Sequence, residues 1–163
     1  MNLNEFIAID IESTGLDPDK DEIIEIAMVH FKDSQVQKTF SSLIKPQQEV
    51  RPFILKLTGI NNEELASAPD FKAISEELIN FMGTLPMVAH NAIFDSRFLK
   101  TALKKVDAPY KMPIFYDSLL LSRIAWPLMP NHRLETLITE LKLVREQSHR
   151  ALPDAQACGE MFL

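Results

Sequence analysis

The sequence is poor in the features that would set it apart from ordinary globular proteins. It has one cysteine, Cys158, so no internal disulfide can form, and a reducing cytoplasm is the simplest home. Its longest apolar stretches, residues 119–121 and 23–31 with Glu25 and His30 interrupting the second, are far too short to cross a bilayer. No basic, apolar leader precedes the strand-like sequence that begins at Phe6. Nothing repeats, and no low-complexity segment or linker divides the chain, so residues 1–163 are expected to form a single domain. Basic residues are also in deficit: 17 Lys and Arg against 23 Asp and Glu leave a net charge of -6. That balance argues against a protein that holds nucleic acid by coating its phosphates with cations.

What is present is a 46% hydrophobic chain whose pattern changes character midway. Residues 6–11, 23–31 and 37–44 are β-rich runs separated by Gly, Asp and Pro signals, which predicts three antiparallel strands. From Asp70 the apolar residues take helical spacing, with Phe71, Ile74, Leu78, Ile79 and Met82 on one face and Gly83 as the stop. A short strand is expected at 87–90. A helix should follow from Ala92, with Phe94, Phe98, Leu99, Ala102 and Leu103 on one side, and end before Pro109. A strand at 114–116 and helices at 118–125, 134–141 and from Pro153 onward complete an α/β chain, a mixed sheet covered by helices. Leu163 falls inside an apolar helical pattern without a stop signal, so the expectation is a natural chain that continues or was trimmed there.

Acids accompany three of these elements. Asp10 and Glu12 are two apart at the end of the first strand, so both side chains point to one face and can share an ion. The pair alone is weak, because about three acid-x-acid pairs are expected by chance and three occur. The other two, within Asp17, Asp19 and Asp21, sit in a Pro-containing turn and are read as solvated. Ser13-Thr14-Gly15-Leu16 follows as a turn whose backbone could approach a nucleotide at Gly15, or simply end the strand. Asp95 begins a helix, where the helix dipole alone would favour it. Asp154 lies five residues after His149, an interval repeated by His90 and Asp95, so either histidine is a candidate base. His90, at a strand end beside Val88-Ala89, reads as hydrogen-bonded near the pocket. His30 and His132 read as structural or exposed, without acidic partners at a useful spacing. Fixed acids flanked by apolar scaffold suggest a metal-dependent nuclease site, where divalent ions would offset the local negative charge. The clustered cations Arg97, Lys100, Lys104, Lys105 and Lys111 fit either a phosphate-tracking patch or a solvated helix face.

With these motifs in view, the whole chain resembles the DEDD-type exonucleases of the histidine subclass, the DnaQ-like family that includes the proofreading epsilon subunit of bacterial DNA polymerase III. Asp10-Ile11-Glu12-Ser13-Thr14-Gly15-Leu16 looks like the first exonuclease motif, Ala89-His90-Asn91-Ala92-Ile93-Phe94-Asp95 the second, and His149-Arg150-Ala151-Leu152-Pro153-Asp154 the third. Leu57-Thr58-Gly59-Ile60 matches the intervening loop. The resemblance implies an RNase H-like fold, with three antiparallel N-terminal strands and two further strands in a central mixed sheet. It implies two Mg²⁺ or Mn²⁺ ions held by Asp10, Glu12, Asp95 and Asp154, with Asp10 shared, and His149 as general base. It further implies that Thr14, Leu16, Leu57, Thr58, His90 and Phe94 hold the 3′-terminal nucleotide, Leu16 and Leu57 as wedges against the bases. The expected reaction is 3′ to 5′ hydrolysis of DNA, releasing nucleoside 5′-monophosphates in proofreading or repair. The expected partners are a single-stranded or frayed 3′ end and a DNA polymerase subunit or fused domain. An exoribonuclease of the same family is the alternative within the class, since contacts to the 2′-OH alone separate the sugars. A non-catalytic module binding a polymerase or nucleic acid is the alternative outside it. Pro153 occupies a position at which the family varies.

Overall fold

In the computed structural model, which describes residues 4–108, 110–143 and 149–163, five strands form one sheet in the order β3-β2-β1-β4-β5. β1 (Glu5–Ser13), β2 (Ile23–Lys32) and β3 (Gln35–Leu43) make an antiparallel meander. β4 (Met87–Ala89) then runs parallel to β1, and β5 (Phe115–Asp117) parallel to β4. Between β3 and β4 come α1 (Pro52–Thr58), α2 (Asn62–Ser67) and α3 (Phe71–Met82); α4 (Ala92–Lys105) joins β4 to β5. Helices α5 (Ser118–Ala125), α6 (Leu134–Glu140) and α7 (Ala151–Phe162) follow.

β1 carries apolar side chains at successive positions from Phe6 to Ile9 because both of its faces are covered. Ile7, Ile9 and Ile11 pack with Ile74, Leu78 and Met82 of α3 and Phe98, Leu99 and Leu103 of α4. Phe6 and Ala8 pack instead with Val29, Phe31, Ala151, Ala155 and Cys158, the last three on α7. Each fully buried large side chain among these contributes roughly 1.5–3 kcal/mol. Strand periodicity then carries Asp10 and Glu12 onto the face that α7 covers. Helix α7 lies against the sheet closely enough that a Cβ added at Gly159 would overlap the ring of Phe31.

Several expectations shift in detail. The strands expected at 87–90 and 114–116 occupy 87–89 and 115–117. α7 starts at Ala151, which leaves Pro153 within its first turn. Two short helices, α1 and α2, fill a region read as loop. Pro52 opens α1 and left-handed Gly59 closes it, while Asn61 and Glu64 form a capping box on α2. Leu57 and Thr58 are therefore the last turn of a helix. α4 ends at Lys105; Pro109, its expected stop, lies outside the described residues. Among the described residues no helix is long and apolar enough to cross a membrane.

Candidate active site

The C-terminal end of β1 meets the first turns of α4 and α7, and all four acids of the three motifs line one cleft there. The cleft encloses about 360 Å³ and also presents Phe94, Arg133, Leu134, Glu135 and His149. Carboxylate oxygens of Asp10, Glu12 and Asp154 come within 4.8 Å of one another. Asp95 lines the same cleft outside that tight set and is buried, 3% exposed.

Such convergence is costly for like charges. Burial, then Asp95, Glu12, Asp154 and Glu25, raise the Asp10 carboxyl well above the usual carboxylate range. Glu12 rises to about 7, first through burial and then through Asp154 and Glu25, with Arg150 opposing. Burial also raises Asp95 strongly, against hydrogen bonding from its own backbone and that of Ile11. A set of hard carboxylate oxygens crowded to this degree suits hard divalent cations, whose charge removes the repulsion. The donor set therefore fits the metal ions that the motifs suggest.

A second ionic arrangement fixes the geometry. Glu25, opposite Glu12 across the β1–β2 ladder and only 3% exposed, accepts two hydrogen bonds from Arg150 Nε (both 3.1 Å), one from Arg150 Nη2 (2.9 Å) and one from the Ala151 N–H (3.1 Å). This bidentate pair anchors the start of α7, one turn before Asp154. Asp117 plays a comparable part at the other edge. Its side chain accepts from the N–H groups of Asn91 and Ala92 at the start of α4, and of Leu119 and Leu120 at the start of α5. Both acids escaped the sequence reading. Glu25 was visible there only as a charge interrupting an apolar strand, and Asp117 carried the local signal of an N-cap acid before α5, while its ties to α4 lie 25 and 26 residues upstream.

The two candidate histidines separate clearly. His149, in a left-handed conformation (φ 56°), lines the cleft, and its Nε2 lies 3.0 Å from Glu135 Oε1. Glu135 was not singled out from the sequence, because it lies fourteen positions before His149 with a helix end between them. His90 does not line the cleft; its Nε2 faces the His132 carbonyl oxygen (2.8 Å) and its Nδ1 faces Ser118 Oγ (3.0 Å). A carbonyl can only accept, so Nε2 carries the proton; in the neutral ring Nδ1 and the Ala89 carbonyl, 3.2 Å from Ser118 Oγ, share the single serine proton. Burial lowers the His90 pKa, favouring this neutral ring. Its observed role is to tie β4 to the chain before α6. His132 Nδ1 is itself 3.2 Å from Ser122 Oγ. His30 does have an acidic partner: its Nε2 lies 3.0 Å from Glu5 Oε1, a pairing across β1 and β2 that sequence spacing hides.

The residues expected to hold the terminal nucleotide divide by exposure. Leu16 (85% exposed) and Leu57 (40%) stand free on the surface, and half-buried Phe94 lines the cleft against Phe98. Thr14 and Thr58 are buried. Thr14 Oγ1 donates to Asp21 and accepts the Glu22 N–H, and Thr58 Oγ1 donates to the Ile54 carbonyl and accepts the Ile60 N–H. The turn at Gly15 is also occupied from within, since a Cβ there would overlap the Asp21 carboxylate. Asp21, read as solvated, is half-buried and accepts the Asp17 N–H at 2.9 Å.

The fold and the acidic cleft together define a nuclease architecture. The family model for the exonucleases called RNase_T spans residues 7–162, and the chain belongs to this DEDDh-type exonuclease family, with its RNase H-like fold. It is 39% identical over 166 residues to the 3′-5′ exonuclease DinG of Bacillus subtilis (strain 168), a match covering all of this chain and 18% of that protein. It is 36% identical over 159 residues to the PolC-type DNA polymerase III of Caldanaerobacter subterraneus subsp. tengcongensis, covering 98% of this chain and 11% of that protein. The chain thus spans less than a fifth of the length of these curated relatives. Among solved structures, exonuclease X in complex with 5′ overhanging duplex DNA superposes with a TM-score of 0.77 at 26% identity, covering 96% of this chain and 88% of that one.

Proposed function

We propose that this chain is a 3′ to 5′ exodeoxyribonuclease that removes nucleotides from DNA ends as nucleoside 5′-monophosphates. The observation that carries the reading is the assembly of Asp10, Glu12, Asp95, Asp154 and His149 on one cleft. The four carboxylates would hold two Mg²⁺ or Mn²⁺ ions, Asp10 lying at the centre of the acidic set. When bound, those ions supply Lewis-acid stabilisation of the phosphate charge and of the departing 3′ oxygen.

The chain's own residues account for the remaining steps. Glu135 orients the His149 ring through Nε2, which leaves Nδ1 as the atom that accepts a proton. Water attacks the terminal phosphorus in line, its proton passes to His149, and the P–O3′ bond breaks. The Glu135 carboxylate then stabilises the imidazolium. Phe94 closes one wall of the cleft, and exposed Leu16 and Leu57 offer apolar surfaces to the last bases, a sequence-tolerant contact.

DNA is favoured over RNA because the relatives include a DNA polymerase and a structure holding duplex DNA with an overhang. A proofreading or repair role in the cytoplasm, as one exonuclease unit beside or fused to a polymerase, accords with the small share of those relatives that the match occupies. The test follows a 5′-labelled strand, single-stranded or 3′-recessed, with Mg²⁺, with EDTA, and with Asp10→Ala. Stepwise shortening from the 3′ end, abolished by EDTA and by the substitution, is expected. DNA left intact while matched RNA is degraded would replace this reading with an exoribonuclease.

A further inference from the structure

The exposed face of α4 leads away from the active-site cleft. Arg97, Lys100, Thr101, Lys104 and Lys105 form one side of an open groove of about 490 Å³, with Pro18 and Asp19 of the turn after β1 on the other. The groove starts beside the cleft on both sides: Phe94, which lines the cleft, is one turn before Arg97, and Leu16 is two residues before Pro18.

Local structure explains only part of this basic face. Lys104 and Lys105 occupy the last turn of α4, where the helix dipole favours cations, and Lys105 Nζ reaches the Pro18 carbonyl at 3.4 Å. Arg97 and Lys100 lie farther in and gain nothing comparable. Arg97 with Lys100, and Lys100 with Lys104, are like-charged pairs at three- and four-residue spacing, which disfavours the helix. Among the described residues, none of these four cations has a carboxylate within 4 Å, although acids outnumber bases in the chain by 23 to 17. The nearby acids do not neutralise the face. Asp17 is paired with Lys20 at 3.0 Å and feels Arg97 only through space, and Asp19 is on the opposite rim. Lys111, grouped with them by sequence, is not part of the groove.

We infer that this groove binds the sugar-phosphate backbone of the strand being degraded, upstream of the scissile bond. The inference rests on the exonuclease reading above. At about 1.5 Å of rise per residue, Arg97 is about 4.5 Å and Lys104 about 15 Å beyond Phe94 along the helix. With stacked nucleotides advancing about 3.4 Å each, the cations match phosphates roughly one to four nucleotides upstream. A chain of net negative charge would thereby hold its substrate through a narrow strip of positive charge that begins where the terminal nucleotide is cut.

The test compares the unsubstituted protein with R97Q/K100Q/K104Q, both checked for unchanged thermal unfolding. Binding of a fluorescent ten-nucleotide single strand in EDTA is measured from about 50 to 200 mM salt, so turnover is not required. The triple substitution should weaken binding about tenfold or more at the low-salt end. It should also flatten the log–log salt dependence by about 2, near 0.7 for each phosphate that is no longer neutralised. In Mg²⁺, the KM for the ten-nucleotide strand should rise while kcat and hydrolysis of the p-nitrophenyl ester of thymidine 5′-monophosphate, which is too short to reach the groove, stay within twofold. Equal binding and equal salt slopes would overturn the inference. So would a loss seen only with duplex substrates, which would give the groove to the complementary strand. A normal difference in binding without turnover by the unsubstituted protein would count against the exonuclease reading and leave the groove standing.

Discussion

Replacing Glu12 with Gln should stabilise the protein in the absence of divalent cations while abolishing its activity. Glu12 is half-buried among Asp154, Glu25 and Asp10, and its carboxyl rises from an ordinary 4.5 to about 7. At about 1.4 kcal/mol per pH unit, this corresponds to roughly 3 kcal/mol against the folded state once the group is ionised. The raised value fixes the sign. Between pH 4.5 and 7 the folded chain binds more protons here than the unfolded one, so stability falls as pH rises and levels off above about 7. Gln carries no charge, and residual solvent screening reduces the recoverable gain to about 1–3 kcal/mol. For a chain of this size that is a rise in Tm of roughly 3–10 °C at pH 8. Calorimetry in EDTA at pH 8 and at pH 4.5 checks it: the gain should be present at the first and nearly absent at the second. Mg²⁺ at pH 8 should stabilise the unsubstituted protein more than the variant. An equal or lower Tm for Glu12→Gln at pH 8 in EDTA would refute the claim that the carboxylates are mutually destabilising without a cation.

Further outcomes follow from single contacts. His149→Ala should lower kcat by about 10²-fold or more without weakening Mg²⁺-dependent thermal stabilisation, and Glu135→Gln should lower kcat by a smaller factor, both read by single-turnover kinetics. Arg150→Ala leaves Glu25 buried without its guanidinium partner and should cost about 3 kcal/mol in denaturant unfolding, with activity falling as the start of α7 loosens. Gly159→Ala drives a methyl group into the Phe31 ring and should cost about 1–3 kcal/mol by the same assay, leaving the metal dependence of any remaining activity unchanged.

Much of the architecture was legible because periodicity is a local property. The unbroken apolar, β-rich runs of β1 and β2 and the three- and four-residue spacing of α3 and α4 are written in adjacent side chains. α1 and α2 were missed because each is under two turns long, too short for an apolar face to repeat. Their signals were terminal instead: Pro52 at the start of one, and the Asn61 and Glu64 capping box at the start of the other. The acids of the site could be nominated from the strand end and helix starts that carry them. Their supporting partners could not, because Glu25 with Arg150, Asp117 with Ala92, and His149 with Glu135 meet only after the chain has folded. Thr14 and Thr58 show the converse. Their hydroxyls, adjacent to the motifs, are bonded to the surrounding chain through contacts that no local pattern announces.

The route by which α7 reaches the sheet has a consequence for timing. Asp10 and Glu12 come from the first strand, while the third member of the tight carboxylate set and the proposed base belong to the last segment, joined to β2 by Arg150 and Glu25. The N-terminal meander can form from neighbours in sequence, but the third carboxylate must await closure of a loop spanning most of the chain. A chain emerging from the ribosome would therefore leave the carboxylate set incomplete until α7 docks on the sheet, however early the meander forms.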